Sequence, residues 1–175
     1  MRRIVFISLM AIALSGGVAA YAQEHMDHQQ HMAAPGDGRQ LVNFPPDMRQ
    51  HTLANMRDHL QALSEILSAM SGAQYGKAAR IADARLGMDS PSAAGCKAED
   101  AAAPQISKPA NVDHQMSQFM PEAMRKIGLE MHQSASTFAA EAAKAGKTGN
   151  AKPALAALSR VTQQCTACHA TYRVQ

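Results

Sequence analysis

The 175-residue sequence predicts an all-α protein, an antiparallel four-helix bundle with a long loop between its second and third helices. Apolar residues recur at spacings of three and four in four separate stretches, which is the period of an amphipathic helix. No stretch of useful length alternates as a β-strand does. Two short turns and one long crossover loop connect the four stretches, and this order of connections is compatible with a bundle.

The N-terminus has the layout of a secretory signal peptide. Arg2 and Arg3 precede an apolar run over 4–14, and Ala20-Tyr21-Ala22 provides a small-residue cleavage site. The apolar run is shorter than the ~20 residues that a membrane-spanning helix needs, so we expect no stable membrane insertion after cleavage. Residues 1–22 are therefore predicted to be a signal peptide. The mature chain is expected in the periplasm, where cysteines meet an oxidising environment.

Residues 23–43 are polar and lack a helical period, and we interpret them as a mobile tail ahead of a helical domain at 44–175. This tail contains a cluster of imidazole and thioether side chains: His25, Met26, His28, His31 and Met32. Such ligands suit copper, so a copper site is one interpretation. A solvated tail of accidental composition is the interpretation that we favour.

The first helix is expected to run from Pro46 to about Met70. Its apolar residues form one stripe, which is the face expected to be buried. The stripe consists of Leu53, Met56, Leu60, Leu63, Leu67 and Met70.

A second helix is expected to follow immediately. Ser71, with Gln74 three residues later, is a capping-box signature for its start, and Gly87 is a plausible stop. Residues 89–113 contain several Pro and Gly residues and little periodicity. A connection of that length is unusual in a compact domain, so it is expected to be functional or loosely ordered.

The third helix is expected to begin near Pro121 and to end before Gly146, and Asn150 can cap the fourth. The stripe of the third helix is Met124, Met131, Ala135, Phe138 and Ala142, with Ile127 and Gly128 at its edge. The stripe of the fourth is Leu155, Leu158, Val161, Cys165, His169 and Tyr172. The stripes are mostly Leu, Met and Ala, and the chain has no Trp. Side chains of this kind would leave the interior near the fourth helix incompletely packed unless a large group filled it.

The charge balance excludes nucleic-acid binding. Without Arg2 and Arg3, the 17 Lys and Arg residues fall to 15, against 14 Asp and Glu, so there is no basic footprint. The sequence also lacks a convincing Ser-His-Asp set or paired-carboxylate site. We therefore do not expect an enzyme.

The chemistry of the chain lies in Cys165-Thr166-Ala167-Cys168-His169, the attachment sequence of a c-type haem. Positions i, i+3 and i+4 share one face of a helix, so two thiols can add to the haem vinyl groups while the imidazole reaches the iron. A redox-active Cys-x-x-Cys would need a βαβ context, and zinc would need a second ligand pair. Neither is visible in the sequence.

With this motif on the last helix, the chain resembles the class II cytochromes c, which comprise cytochrome c′ and its low-spin, methionine-ligated relatives. The resemblance covers about 44–175 and includes the trailing Thr171-Tyr172-Arg173. It implies one covalent haem c with His169 as proximal ligand, electron transfer with periplasmic redox partners, and a homodimer through the first two helices. Arg173, four residues past His169, is expected on the haem side of the helix, paired with a propionate; the alternative is a solvated helix-end arginine.

The resemblance also implies that the distal residue comes from the first helix. Met56, 16 residues before Gly72, matches the family's register from the helix end and would give a six-coordinate electron carrier. Leu53, four residues after Arg49, fits another register, with an open iron that binds nitric oxide or carbon monoxide. We favour Met56. Less favoured as ligands are three residues expected as polar residues on the flanks of the stripes: His51, His59 and His132.

Cys96 is left over once the haem takes two thiols. It lies in the long loop, and in an exported protein a leftover cysteine indicates a free thiol or a bridge between subunits.

Overall fold

The computed structural model describes residues 36–97 and 112–174. From Arg39 onward the described residues belong to one compact unit, and residues 36–38 precede it. Its elements are β1 (Gln40–Val42), α1 (Pro46–Ser71), α2 (Tyr75–Arg85), a 3₁₀-helix (Pro91–Gly95), α3 (Val112–Met116), α4 (Glu122–Thr148), α5 (Lys152–Thr171) and β2 (Tyr172–Val174). The chain is mostly helical, which confirms the all-α class; α1, α2, α4 and α5 are the four predicted helices. The predicted signal peptide and the histidine- and methionine-containing tract lie outside the described residues. Within the described ranges, no helix is both long enough and apolar enough to cross a bilayer.

The connection between α1 and α2 differs from the predicted capping box. The Ser71 hydroxyl donates to the carbonyl of Ser68, so it satisfies an acceptor at the end of α1. The residue that caps α2 is Gln74, and its side chain makes no capping hydrogen bond. The capping-box prediction was therefore wrong, although α2 ends before Gly87 as expected.

The third predicted helix, α4, continues past the expected stop at Gly146. It ends at Thr148, and Gly149 adopts a φ of 73°, a left-handed conformation that glycine takes without steric cost. Its N–H donates to the carbonyl of Ala145 at 2.8 Å. Asn150 Oδ1 then accepts the N–H of Lys152, the first residue of α5, at 3.1 Å.

Two short strands were missed by the sequence analysis. β1 pairs in parallel with β2, in the register Gln40 with Tyr172 and Val42 with Val174. The segment 39–43, assigned to the mobile tail, is thus tied to the C-terminus, and Val42 is buried. Three residues are too few to show an alternation, so the pattern could not reveal these strands.

The buried face of α1 is rotated from the predicted stripe. Its buried apolar residues in the main core are Ala62, Ile66 and Ala69, while Leu60 is 70% and Leu67 is 55% exposed. The main core therefore packs small side chains of α1 against α2, α4 and α5. The predicted stripe was therefore wrong at Leu60 and Leu67, whereas Leu63 and Met70 are partly buried and pack against the main core.

The stripes of α4 and α5 agree better with the structure. All five predicted stripe residues of α4 are buried, from Met124 to Ala142. On α5, Leu158 and Val161 are buried, but Leu155 is 48% exposed, and Ala154 and Ala157 occupy the core instead. As on α1, small side chains allow a close approach between helices where larger ones were expected.

Candidate functional site

The site consists of two cavities bordered by α1, α4 and α5. The larger has a volume of about 420 Å³ and a mostly apolar wall that includes Leu53, Leu60, Leu63, Ile127 and Met131. The smaller, of about 190 Å³, shares four lining residues with it, so the two adjoin: Leu53, Met56, Cys168 and His169. Four residues of the predicted α1 stripe therefore border these cavities: Leu53, Met56, Leu60 and Leu63.

The three reactive residues of the motif are on this cavity wall. Cys165, Cys168 and His169 all line the larger cavity, because positions i, i+3 and i+4 of α5 share a face. Both thiols are free and half-buried, while His169 is exposed. Burial raises the pKa of the Cys165 thiol, and burial together with the neighbouring Cys165 raises that of Cys168. The thiols are therefore held mostly protonated at neutral pH.

Met56 borders the site from α1. It lines both cavities that His169 lines, so one open space adjoins the thioether and the imidazole. Leu53 borders the same two cavities. The structure thus brings both predicted distal residues to the site.

The smaller cavity has a basic wall. Arg39 and Arg173 line it together with Met124, Tyr172 and Val174. Arg39 Nη1 donates to the backbone carbonyl of His169 at 3.2 Å. Arg173 is half-buried and lies in β2, since α5 ends at Thr171; its predicted place on the helix was wrong.

Of the three histidines considered as ligands, only His59 lines the larger cavity. Its Nε2 is 3.0 Å from Ser92 Oγ, which holds the ring toward the 3₁₀-helix. His51 Nε2 is bound instead to Asp113 Oδ1 at 2.7 Å.

His132, expected as a polar edge residue, is 1% exposed. Its Nδ1 is 2.7 Å from the Leu86 carbonyl, so Nδ1 carries the proton and donates. Burial lowers the pKa of His132, and the hydrogen bond to Leu86 opposes that shift. The His132 ring meets His59 edge-on, with 5.9 Å between ring centroids. Burial lowers the pKa of His59 to about 4, and His132 adds to the effect.

Cys96 packs against the α4 backbone at Gly128, where a Cβ would collide with its sulfur. The thiol is half-buried, and burial raises its pKa to about 11. A protonated and shielded thiol is a poor nucleophile. This environment argues against Cys96 as a ready bridge between subunits.

The residues at the cavities fit a haem. Across residues 36–97 and 112–174, no three His, Cys, Asp or Glu side chains are gathered as a metal site. A haem iron, however, needs only axial ligands from the protein, because the porphyrin supplies four nitrogens. The apolar wall suits the macrocycle, the two thiols suit its vinyl groups, and the arginines of the smaller cavity suit its carboxylates.

No family model, curated protein or solved structure matches this chain. The interpretation therefore depends on the site itself. The sequence brought together Cys165, Cys168, His169 and Met56, which share the larger cavity in the structure. It missed Arg39, because that residue lies in a polar segment with no motif, and its position at the smaller cavity becomes visible only through the pairing of β1 with β2.

Proposed function

We propose that the chain is an exported monohaem c-type cytochrome that transfers electrons in the periplasm. The observation that carries this proposal is one apolar cavity lined by Cys165, Cys168 and His169 on α5 and by Met56 on α1. A chance Cys-x-x-Cys-His on a helix surface would not require an apolar cavity beside it, nor a soft ligand in the wall of the same cavity. The resemblance to class II cytochromes c points to the same function.

The residues of the site have separate roles in this proposal. Cys165 and Cys168 hold the cofactor by thioether bonds, and His169 is the proximal ligand of its iron. When bound, the haem supplies an iron that alternates between the ferric and ferrous states. Met56 is the distal ligand, and its thioether favours the ferrous form. The apolar side chains of α1 and α4 exclude water from the site. This exclusion also influences the reduction potential of the haem iron.

We infer that the protein is a carrier and not a catalyst. No substrate is turned over, and the near-neutral mature chain would make brief contacts with periplasmic redox partners without strong electrostatic steering. We further infer that α1, α2, α4 and α5 form an antiparallel four-helix bundle. The contacts of α4 with α2 and α5, and of α1 with α2, support this arrangement.

The first experiment tests the cofactor. The full chain is expressed in a bacterium with a c-type maturation system, and we expect a red periplasmic protein whose peptide containing 165–169 carries the mass of a haem. The Cys165→Ser/Cys168→Ser variant should lack covalent haem, while Cys96→Ser, a matched thiol change outside the motif, should retain it. A colourless wild-type protein with both motif sulfurs unmodified would overturn the proposal.

The second experiment tests the distal ligand. Met56→Ala should leave an open iron that binds carbon monoxide in the ferrous state, whereas wild-type protein should resist it. Leu53→Ala is the matched control, because Leu53 lines the same cavities and has no ligating atom. If wild-type protein binds carbon monoxide and Met56→Ala leaves its spectrum unchanged, the iron is five-coordinate, and gas binding becomes the better function.

A further inference from the structure

A second apolar cluster, separate from the main core, is rich in methionine. Its buried residues include Met48, Met116 and Met124, and Met120 and Cys168 pack against it while partly buried. Three of the six buried residues of this cluster are thus methionine, against one of the sixteen buried residues of the main core. Methionine commonly fills gaps between helices. A general use as filler, however, would not concentrate it in the smaller of the two clusters.

Three of these methionines recur at every fourth position along one segment. Met116 is the last residue of α3, and Met124 lies in the first turn of α4. The N–H of Met120 donates to the carbonyl of Met116 at 3.3 Å, so a further helical turn joins these two residues. Side chains four positions apart on a helical turn lie on one side of it. This spacing therefore brings the thioethers together in the second cluster.

The fourth thioether comes from α1, and one side chain shows how close α1 lies. The Thr52 hydroxyl donates to the Met48 carbonyl at 2.8 Å, and its oxygen is 3.6 Å from the sulfur of Met116. The Met116 sulfur therefore lies against the turn of α1 that begins at Met48. Met48 is 8% and Met116 is 6% exposed, so both side chains are largely removed from water.

We propose that four thioethers of the second cluster form a binding site for Cu(I): Met48, Met116, Met120 and Met124. Thioether sulfur is a soft ligand that suits Cu(I), whereas hard cations such as Mg²⁺ and Ca²⁺ prefer oxygen. The ligands are uncharged, and a monovalent cation is the kind that they can hold at the lowest desolvation cost, because that cost rises steeply with charge. Copper binding of this kind goes beyond electron transfer by the proposed haem.

The proposed copper site uses other ligands than the two sites considered above. The haem would use Cys165, Cys168, His169 and Met56, none of which is among the four thioethers. The histidine- and methionine-containing tract at 25–32 lies outside the described residues and belongs to another part of the sequence. Met124 also lines the smaller cavity, so a copper ion held in the second cluster would lie beside the haem site.

The experiment uses the haem-loaded Cys96→Ser protein, in which no free thiol remains to bind copper. Copper is supplied as Cu(I), with ascorbate and without oxygen, in competition with bathocuproine disulfonate, and native mass spectrometry counts the bound ions. We expect one copper ion to be retained against the chelator. The Met116→Leu/Met120→Leu/Met124→Leu variant in the same background should lose it, because leucine keeps the apolar volume but has no ligating atom.

Two further variants make the comparison specific. Met26→Leu/Met32→Leu makes the same chemical change in the tract at 25–32 and should retain the ion. Met116→Leu alone should raise the copper dissociation constant by about tenfold or more, since even an outer partner of a metal ligand contributes that much. This single variant also decides the matter if the triple variant does not fold. X-ray absorption at the copper edge should show sulfur neighbours and no nitrogen.

The outcomes keep this proposal separate from the proposed function. Failure to retain copper, retention in the Met116→Leu/Met120→Leu/Met124→Leu variant, or nitrogen neighbours would overturn the thioether site and leave the haem intact. Loss of copper in Met26→Leu/Met32→Leu would assign the ion to the tract instead. A chain that carries no haem would refute the proposed function, and the same variants in a Cys96→Ser/Cys165→Ser/Cys168→Ser background would then test the copper site.

Discussion

His59 and His132 form an imidazole pair at the junction of α1 and α4, in which His132 is buried and His59 is half-buried. One hydrogen bond joins the Ser92 hydroxyl to the His59 ring. The Leu86 carbonyl accepts from His132 and so fixes the tautomer of that ring. The titratable groups that act on His59 are Asp58 on α1, Arg85 on α2, Asp113 on α3 and His132 on α4. Burial outweighs the two aspartates, so the pKa of His59 falls and the ring is neutral at pH 7.

This pair predicts a loss of stability in acid. The pKa of His59 is depressed from 6.5 to about 4 on folding, so below pH 6.5 the unfolded chain binds a proton that the folded protein refuses until about pH 4. Between pH 7 and pH 4.5, this group should reduce the free energy of unfolding by about 2 kcal/mol. Urea unfolding measures the effect. Between pH 7 and pH 4.5, the free energy of unfolding of His59→Gln should fall by about 2 kcal/mol less than that of wild type. Parallel pH profiles for the two proteins would contradict the prediction.

Some residues of the site could be predicted from the sequence, and their tertiary contacts could not. The motif residues could be found from local spacing, because they lie on one face of a helix, whereas Met56 was predicted from the register that the resemblance to the class II cytochromes c implies. The partners of His59 and His132 could not, since Ser92 and Leu86 are 33 and 46 residues away from them. Such contacts depend on tertiary packing, which leaves no periodic signal in the sequence.

Among the elements, the crossover after the 3₁₀-helix is joined to α4 by a close contact. The sulfur of Cys96 occupies the space that a side chain at Gly128 would need. A glycine is therefore required at 128 because the Cys96 sulfur lies so close to the α4 backbone. The backbone conformation does not require it, since the φ of Gly128 is not positive.

The contact predicts that Gly128→Ala changes the free energy of unfolding in opposite directions in the presence and in the absence of the Cys96 side chain. In wild-type protein, Gly128→Ala should lower the free energy of unfolding by about 1–3 kcal/mol, because the new methyl group collides with Cys96. In the Cys96→Ala background the collision is removed, and the same change should stabilise α4 by ~0.5–1 kcal/mol through its better helix propensity. Denaturant unfolding of the four proteins gives the comparison. An equal loss in both backgrounds would show that Cys96 is not what excludes a side chain there.

The helices themselves were largely predictable, and their buried faces less so. Periodicity found α1, α4 and α5 because long amphipathic stretches are unambiguous. It misplaced the face of α1, since it assumed that the largest apolar residues pack in the polypeptide core. In the structure Ala62 and Ile66 do so, while Leu53 and Leu60 line the larger cavity. A sequence pattern cannot distinguish a face that packs against other helices from one that lines a cavity.

Across the whole described unit, the apolar interior is divided into two clusters. The first joins α1, α2, α4 and α5, and Cys165 packs against it. The second includes Val42 and Tyr172 from the two strands, and Cys168 packs against it. The two thiols of the motif therefore contact different clusters. A haem attached to both would link the clusters across the cavities between α1, α4 and α5.

This arrangement predicts that haem attachment stabilises the second cluster more than the first. The second cluster is small and includes two three-residue strands, so it depends more on added contacts. In Cys165→Ser/Cys168→Ser, backbone hydrogen exchange should speed up strongly in 40–48 and 172–174, and less in the α4 and α5 segments of the first cluster. Mass spectrometry of exchanged peptides measures this, with haem-loaded Cys96→Ser as the control for loss of a thiol. Equal acceleration in both clusters would mean that the cofactor acts on the fold as a whole and does not link two separate cores.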